Sequence, residues 1–303
     1  MKYLFKRAKR GFWHIQYSKA PYIFLLPFLI FLVSFYLFPI LYSVYLSFTE
    51  WSFGGFELIG ISNYVQLFHD SMFYRSLWHS SFYVALTLAL VLPLSLGIAV
   101  LLHSSLAGKI ASSSLQKLIY LPSITPVVAI GIIFTLLYEQ DSGLLNAILS
   151  NLGLPKVAWI ASARLAKWSI MGVVFWRWSG YNAVLYIGGL KGIPKTLYEA
   201  ARVDGANSLQ QFWRITIPML KPVILFTVVM SIIGSYMLFA ELYILTGGGP
   251  ESSTISIVQY IYRQGFTRYR FGYASALTNI LFIVIFSLSY TVLNIFNVWE
   301  QWR

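Results

Sequence analysis

Ten carboxylates, four imidazoles and no thiol are spread through this 303-residue chain, and their placement excludes most covalent chemistry. Without Cys there is no disulfide framework, Cys metal site or thiol nucleophile. His14, His69, His79 and His103 form no H-x-x-x-H pair, so no metal site is expected. The acids stand at Glu50, Glu57, Asp70, Glu139, Asp141, Glu199, Asp204, Glu241, Glu251 and Glu300. Neither they nor the histidines cluster as an intramembrane transferase or protease would require. No G-x-x-x-x-G-K-[ST] phosphate loop occurs. The chain reads as a non-enzyme that needs no cofactor of its own.

Two features remain with chemistry to offer. Arg177 lies inside an apolar run, in the stretch FWRWSGYN, with Trp176, Trp178, Tyr181 and Asn182 beside it. An Arg in a membrane is costly and usually faces a bundle interior or water. Aromatic faces with amide and hydroxyl groups suit a sugar, whose CH faces stack while its hydroxyls need partners. The same residues also fit an aromatic belt with Arg177 snorkelling to the surface. Glu241 lies in YMLFAELYILTGGGP, about a turn from the outer end of its run, where a solvated interfacial carboxylate is expected. With Tyr236 and Tyr243 it is also a candidate to line the outer half of a path. The TGGGP at Thr246–Pro250 has no Lys and opens no helix, so it is an outer turn rather than a phosphate cradle.

The elements that hold these residues are membrane helices. Hydrophobic residues make up 58% of the chain, charged ones 11%, and mean hydropathy is +0.68. Soluble domains carry about 25% charged residues. Six runs reach the roughly 20 residues a helical span needs: about Tyr22–Phe48, Trp78–Leu102, Leu118–Tyr138, Ser169–Leu190, Val223–Leu245 and Leu277–Val298. Pro122 and Pro126 should kink the third. The first run is too long for a signal-peptide core and no cleavage site follows it, so it is read as retained. Residues 1–21 form a basic tail and residues 22–48 the first span, both an addition to one core at 75–298.

Lys and Arg set the orientation. With the tail inside, the inner segments hold fourteen basic residues and the outer loops seven, which puts both termini in the cytoplasm. The net charge of +12 is accordingly a topology signal, and nucleic acid is not expected as a partner. A self-sufficient secondary transporter or channel would need ion-coupling acids at midplane and paired interrupted helices, neither of which the pattern displays.

Between the fourth and fifth runs lies IPKTLYEAARVDGANSLQQFWRITIPMLKP, Ile193 to Pro222. Pro194 suits the first position of a helix. Good helix formers follow to Val203, Asp204-Gly205 is a stop and turn, and Asn207 or Ser208 can cap a second helix. Leu209, Phe212, Trp213 and Thr216 share a face of that helix, and Pro218 and Pro222 are expected to end it. Helix, turn, helix on the inner surface reads either as a docking element or as an amphipathic hairpin lying on lipid.

The run YEAARVDGANSLQQFWRITIPMLKP resembles the EAA motif of binding-protein-dependent ABC importer permeases, through Glu199, Ala200, Ala201, Asp204, Gly205, Ala206, Ile215, Pro218 and Pro222. SFTEWSFGG, YLPSITPVVAIGIIF, LYILTGGGP and FGYASALTNILF are similar to the carbohydrate-uptake branch, near the maltose-system F-type and glycerol-phosphate A-type subunits. The resemblance spans nearly the whole chain. It implies an all-α, six-span type I importer permease in a bacterial or archaeal plasma membrane. It also implies a second homologous permease, two ATP-binding subunits that hold ATP and Mg, and an extracytoplasmic binding protein. Glu199, Ala200, Ala201, Asp204, Gly205 and Ala206 would then couple to the ATPase. Trp176, Arg177, Tyr181, Asn182, Tyr236, Glu241 and Tyr243 would line the solute path.

Overall fold

The computed structural model describes residues 22–52, 55–103 and 109–296. The basic tail at 1–21 and the end that carries Arg303 lie outside them. In chain order, α1 (Tyr22–Leu46) leads to a hairpin of β1 (Thr49–Ser52) and β2 (Gly55–Leu58), then α2 (Ser62–Phe68) and α3 (Ser71–His103). α4 (Lys109–Ile124), α5 (Val127–Leu137) and α6 (Leu144–Asn151) precede the 26-residue α7 (Ala166–Lys191). α8 (Lys195–Val203), α9 (Ser208–Tyr236), α10 (Ala240–Thr246), α11 (Ile257–Tyr262) and α12 (Phe271–Ile295) complete it.

Among the described residues, α1, α3, α9 and α12 are long and apolar enough to cross a membrane, and the bent pair α4–α5 makes a fifth candidate. α7 is less apolar for a structural reason. It runs through the bundle with Ile170, Val173, Val174, Ala183, Tyr186, Ile187 and Leu190 buried, so its polar residues meet protein rather than lipid. At 1.5 Å per residue it is roughly 39 Å long, enough for a hydrocarbon core of about 30 Å. Apolar side chains gain little by leaving lipid for one another, so close fit holds such helices together. Gly180 provides that fit, because a Cβ there would sit 1.9 Å from the Ile119 carbonyl oxygen on α4.

Three buried clusters hold the bundle. Tyr83, Val91, Ile130, Ile170, Val174 and Leu242 form the central one. Ala99, Leu102, Tyr186, Leu190, Ile193 and Leu220 close the end from which α8 emerges. Phe73, Tyr236, Ile257, Tyr260, Tyr273 and Leu277 belong to the third. At the end opposite α8, Asp70 caps α3 through the Met72 amide at 2.8 Å and accepts the Tyr273 hydroxyl at 2.6 Å and the Tyr260 hydroxyl. Burial alone would raise the Asp70 pKa. Bonds from Tyr260, Tyr273 and the Met72 and Phe73 amides outweigh it and hold the carboxyl below its ordinary value. Burial, and then Asp70, push Tyr260 up to about 12.

Beside this clasp the hairpin pairs Thr49 with Leu58 and Trp51 with Phe56. Asn63 Nδ2 donates to the carbonyls of Ser47 and Thr49, and Gly272 of α12 lies against the Thr49 carbonyl. The Phe38–Leu46 end of α1 packs on α12, and among the described residues none of Tyr22–Leu46 is buried.

The kink expected from the prolines of the third run is present as a 93° break between Ile124 and Val127, with Pro126 at the break and its ψ at 129°. Two other expectations need correction. Pro218 and Pro222 do not end the second hairpin helix, which continues as α9 to Tyr236. A π-turn at Phe212–Thr216 has already shifted the hydrogen-bond ladder there, and Pro is tolerated where the ladder is displaced. The fifth run is also interrupted, at Met237–Phe239, before α10. Its short α10 packs on α5, where Ile244 covers Gly131. Interrupted helices are thus present, and their absence no longer speaks against a secondary transporter.

Candidate functional site

The Lys195–Thr216 hairpin is built almost wholly by local bonds. Pro194 precedes α8 with ψ 129°. At the far end Gly205 takes a left-handed φ of +78°. The Ala206 amide then reaches the Ala201 carbonyl at 2.8 Å and the Gly205 amide the Arg202 carbonyl at 3.0 Å. This pair of bonds is the Schellman motif, which satisfies carbonyls the helix end leaves open. Asn207, rather than Ser208, caps α9. Its Oδ1 accepts the Gln210 amide, and Gln210 Oε1 accepts the Asn207 amide, both at 2.9 Å.

The hairpin has one anchored face and one open face. Tyr198 bonds Thr216 across it at 2.9 Å, and Tyr198 and Ile215 pack on the Leu190–Ile193–Leu220 cluster. Glu199, Ala200, Asp204 and Gly205 are exposed, and Ala201 and Ala206 half-buried. Val203 is 88% exposed, Leu209 67% and Trp213 61%, so among the described residues the apolar part of the open face has no cover.

Deep in the bundle, Arg177 and Glu241 find each other across 64 residues, with Nη1 2.5 Å from Oε1. Arg177 is eleven residues from the start of α7 and fourteen from its end, near mid-height. Snorkelling is excluded, as is the solvated Glu241 expected at the interface, since Glu241 is 5% exposed. The helix break explains this: after Met237–Phe239 the chain turns inward and Glu241 opens α10 facing α7. An isolated buried charge would be prohibitive, and the pair makes each tolerable.

Next to the pair is a cleft of about 240 Å³ between α7, α9 and the π-turn of α3. Trp178, Tyr181, Asn182, Ser231, Ser235 and Thr87 contribute its ring faces and polar groups. Met237 and Leu238 also line it, so the interrupted backbone lies where membrane proteins tolerate one, against a cavity. The wall is mainly apolar, since Asn182 already bonds the Trp178 carbonyl and Ser235 bonds Thr87; its ring faces, with the hydroxyls of Tyr181 and Ser231, are what it offers a polyhydroxylated solute.

Residues 92–298 match the family described as binding-protein-dependent transport system inner membrane component. The chain belongs to this family. It is 36% identical over 290 residues to the probable ABC transporter permease protein YurN of Bacillus subtilis, covering 94% of this chain and 99% of that one. It is 35% identical to the arabinooligosaccharides transport system permease protein AraP of B. subtilis, with 93% and 91% covered. The lactose transport system permease protein LacF of Rhizobium radiobacter is 33% identical, with 90% and 93% covered. The fold also matches a chain in the crystal structure of a bacterial ABC transporter involved in import of the acidic polysaccharide alginate. There the TM-score is 0.84, the identity 23%, and 95% of this chain and 98% of that one are covered.

Within the permease, the sequence candidates separate. Tyr181 and Asn182 line the cleft, with Asn182 Nδ2 bonded to the Trp178 carbonyl at 3.0 Å. Arg177 does not line the cleft but lies 5.1 Å from the ring centre of Trp178, which does, and Glu241 pairs with Arg177. Trp176 is half-exposed and packs on Phe134 with ring centres 5.5 Å apart. Tyr236 is buried outside the cleft, its hydroxyl 3.0 Å from Ser81 Oγ. Tyr243 is half-exposed and stacks on Phe239 at 5.2 Å. Thr87, Ser231 and Ser235 escaped the sequence reading, because lone hydroxyls in apolar runs carry no signal of which face they occupy.

Proposed function

We propose that this chain is the membrane-spanning subunit of an ATP-driven importer that moves a saccharide delivered by an extracytoplasmic binding protein. The carrying observation is the Lys195–Thr216 hairpin: capped at both ends, anchored on one face and open on the other. Glu199, Ala200, Ala201, Asp204, Gly205 and Ala206 form its docking edge for an ATP-binding subunit. The ATPase holds ATP and Mg, and its closure moves α8 and α9 as a unit. α9 runs from the hairpin, through its π-turn, to the cleft, so a push on the hairpin reaches Ser231 and Ser235 along one helix. The six crossings are α1, α3, α4–α5, α7, α9–α10 and α12, with both termini cytoplasmic in a bacterial or archaeal plasma membrane. A second homologous permease completes the pathway, and two ATPase subunits serve the pair. The saccharide reading draws on the cleft wall and on the arabinooligosaccharide and lactose permeases among the relatives.

Glu199→Lys tests the coupling. Glu199 is exposed and joins neither ion pair among the described residues, so reversal leaves the fold of this chain undisturbed. The variant is expected to insert normally, lose the ATPase subunit on purification and abolish uptake. Unchanged uptake would overturn the coupling role.

A further inference from the structure

The cleft in this permease carries no net charge, and that restricts what it can accept. Its polar wall, among the described residues, consists of hydroxyls and one amide. The nearby cation is already taken. Arg177 Nη1 lies 2.5 Å from Glu241 Oε1, with side-chain exposures of 15% and 6%. The guanidinium is 5.1 Å from the ring centre of Trp178, and Trp178 lines the cleft. Arg177 therefore stands one ring behind the solute, close enough for its charge to be felt in a medium of low dielectric.

We propose that Glu241 is a specificity-determining residue, which neutralises Arg177 and sets this half of the site for uncharged saccharides. The proposal rests on the saccharide reading above. Glu241 acts through Arg177 and is a positioning residue, not a contact. A bare Arg177 would offer counter-charge to a uronate or sulfated sugar. The closed pair offers none, and a carboxylate entering the cleft would lose hydration without compensation. A neutral sugar can instead lay its CH faces on rings, which Trp178 and Tyr181 supply in the wall.

The test is saturation binding to the assembled importer in nanodiscs. The probes are radiolabelled maltose, cellobiose and galactobiose, each paired with its C6-oxidised uronate. Wild type is expected to bind a neutral member and to hold its uronate about tenfold or more weakly. Glu241→Gln leaves Arg177 without its counter-charge and should shift that ratio towards the uronate by about tenfold. Arg177→Met with Glu241→Leu removes both charges and should return the ratio towards wild type, which a purely structural role for the pair would not do. The wild-type ratio needs no variant, so poor assembly of Glu241→Gln leaves the test intact. Equal wild-type affinity for the two members of a pair overturns the proposal alone, as does a ratio unmoved by Glu241→Gln. A complex that assembles and hydrolyses ATP yet binds no member of either series overturns the saccharide reading and the proposal with it.

Discussion

Gly205 offers a graded test of the hairpin as a coupling element. Its φ of +78° lies in the left-handed region, and no atom stands within 4 Å of an added Cβ. A side chain there meets no wall, so the penalty comes from the backbone alone. For an ordinary L-residue it is about 1–2 kcal/mol, and Asn tolerates the conformation better. Relaxing to a negative φ would break the Ala206–Ala201 and Gly205–Arg202 bonds and swing α8 away from α9. Docking must then restore the turn, and the strain appears as lost affinity. Because 1.4 kcal/mol is tenfold, Gly205→Ala should weaken binding of the ATPase subunit by about five- to thirtyfold. Gly205→Val should lose more and Gly205→Asn least. Biolayer interferometry of the purified ATPase subunit on nanodisc-held permease reads the series, with uptake measured in parallel. Equal affinities for the Val, Ala and Asn variants would refute the reasoning, since neither strain nor a docking turn would then matter.

Other consequences concern packing, the clasp and the cleft. Gly131→Ala would bring a Cβ to 2.6 Å from Ile244 Cγ2. It should destabilise by about 1–3 kcal/mol, and Ile244→Ala should recover much of the fall in Tm because a side-chain tip is the obstacle. Gly180→Ala meets the backbone oxygen of Ile119 at 1.9 Å, so Ile119→Ala should give no such rescue. Asp70→Asn keeps the helix cap but weakens the tyrosine bonds, a loss of about 1–3 kcal/mol near neutral pH. The Asp70 pKa is depressed in the fold, so its stabilisation is present above the unfolded value near 4 and vanishes as pH falls through the lower folded value. The Tm gap between wild type and Asp70→Asn should therefore close on acidification. Tyr181→Ala should lower uptake roughly tenfold with assembly intact. Trp176→Ala should instead show its effect in assembly, through the contact with Phe134.

The hairpin was legible because its determinants are local. Pro194, Asp204-Gly205 and Asn207 act within four residues of themselves, so their types and spacing were enough to foresee two helices and a turn. Its continuation through Pro218 was not, because the register shift that accommodates a proline depends on how α9 packs and not on propensity. Apolar length likewise located the runs, yet it could not foresee that two of them break. A backbone break in a membrane is settled by what surrounds it, and the neighbours of Met237 and Leu238 come from α3 and α7.

Arg177 and Glu241 mark the division most sharply. By itself the sequence determined that the chain is a membrane protein, where its long apolar runs lie and which loop folds as a capped helix-turn-helix, since length, hydropathy and capping are properties of contiguous residues. Only the tertiary structure decided that two charges 64 positions apart cancel each other and that Tyr181 faces a cleft while Tyr236 does not. Lipid and protein interior are both apolar, so a hydrophobic run specifies its depth in the membrane without specifying which of its faces meets lipid, neighbour or cavity.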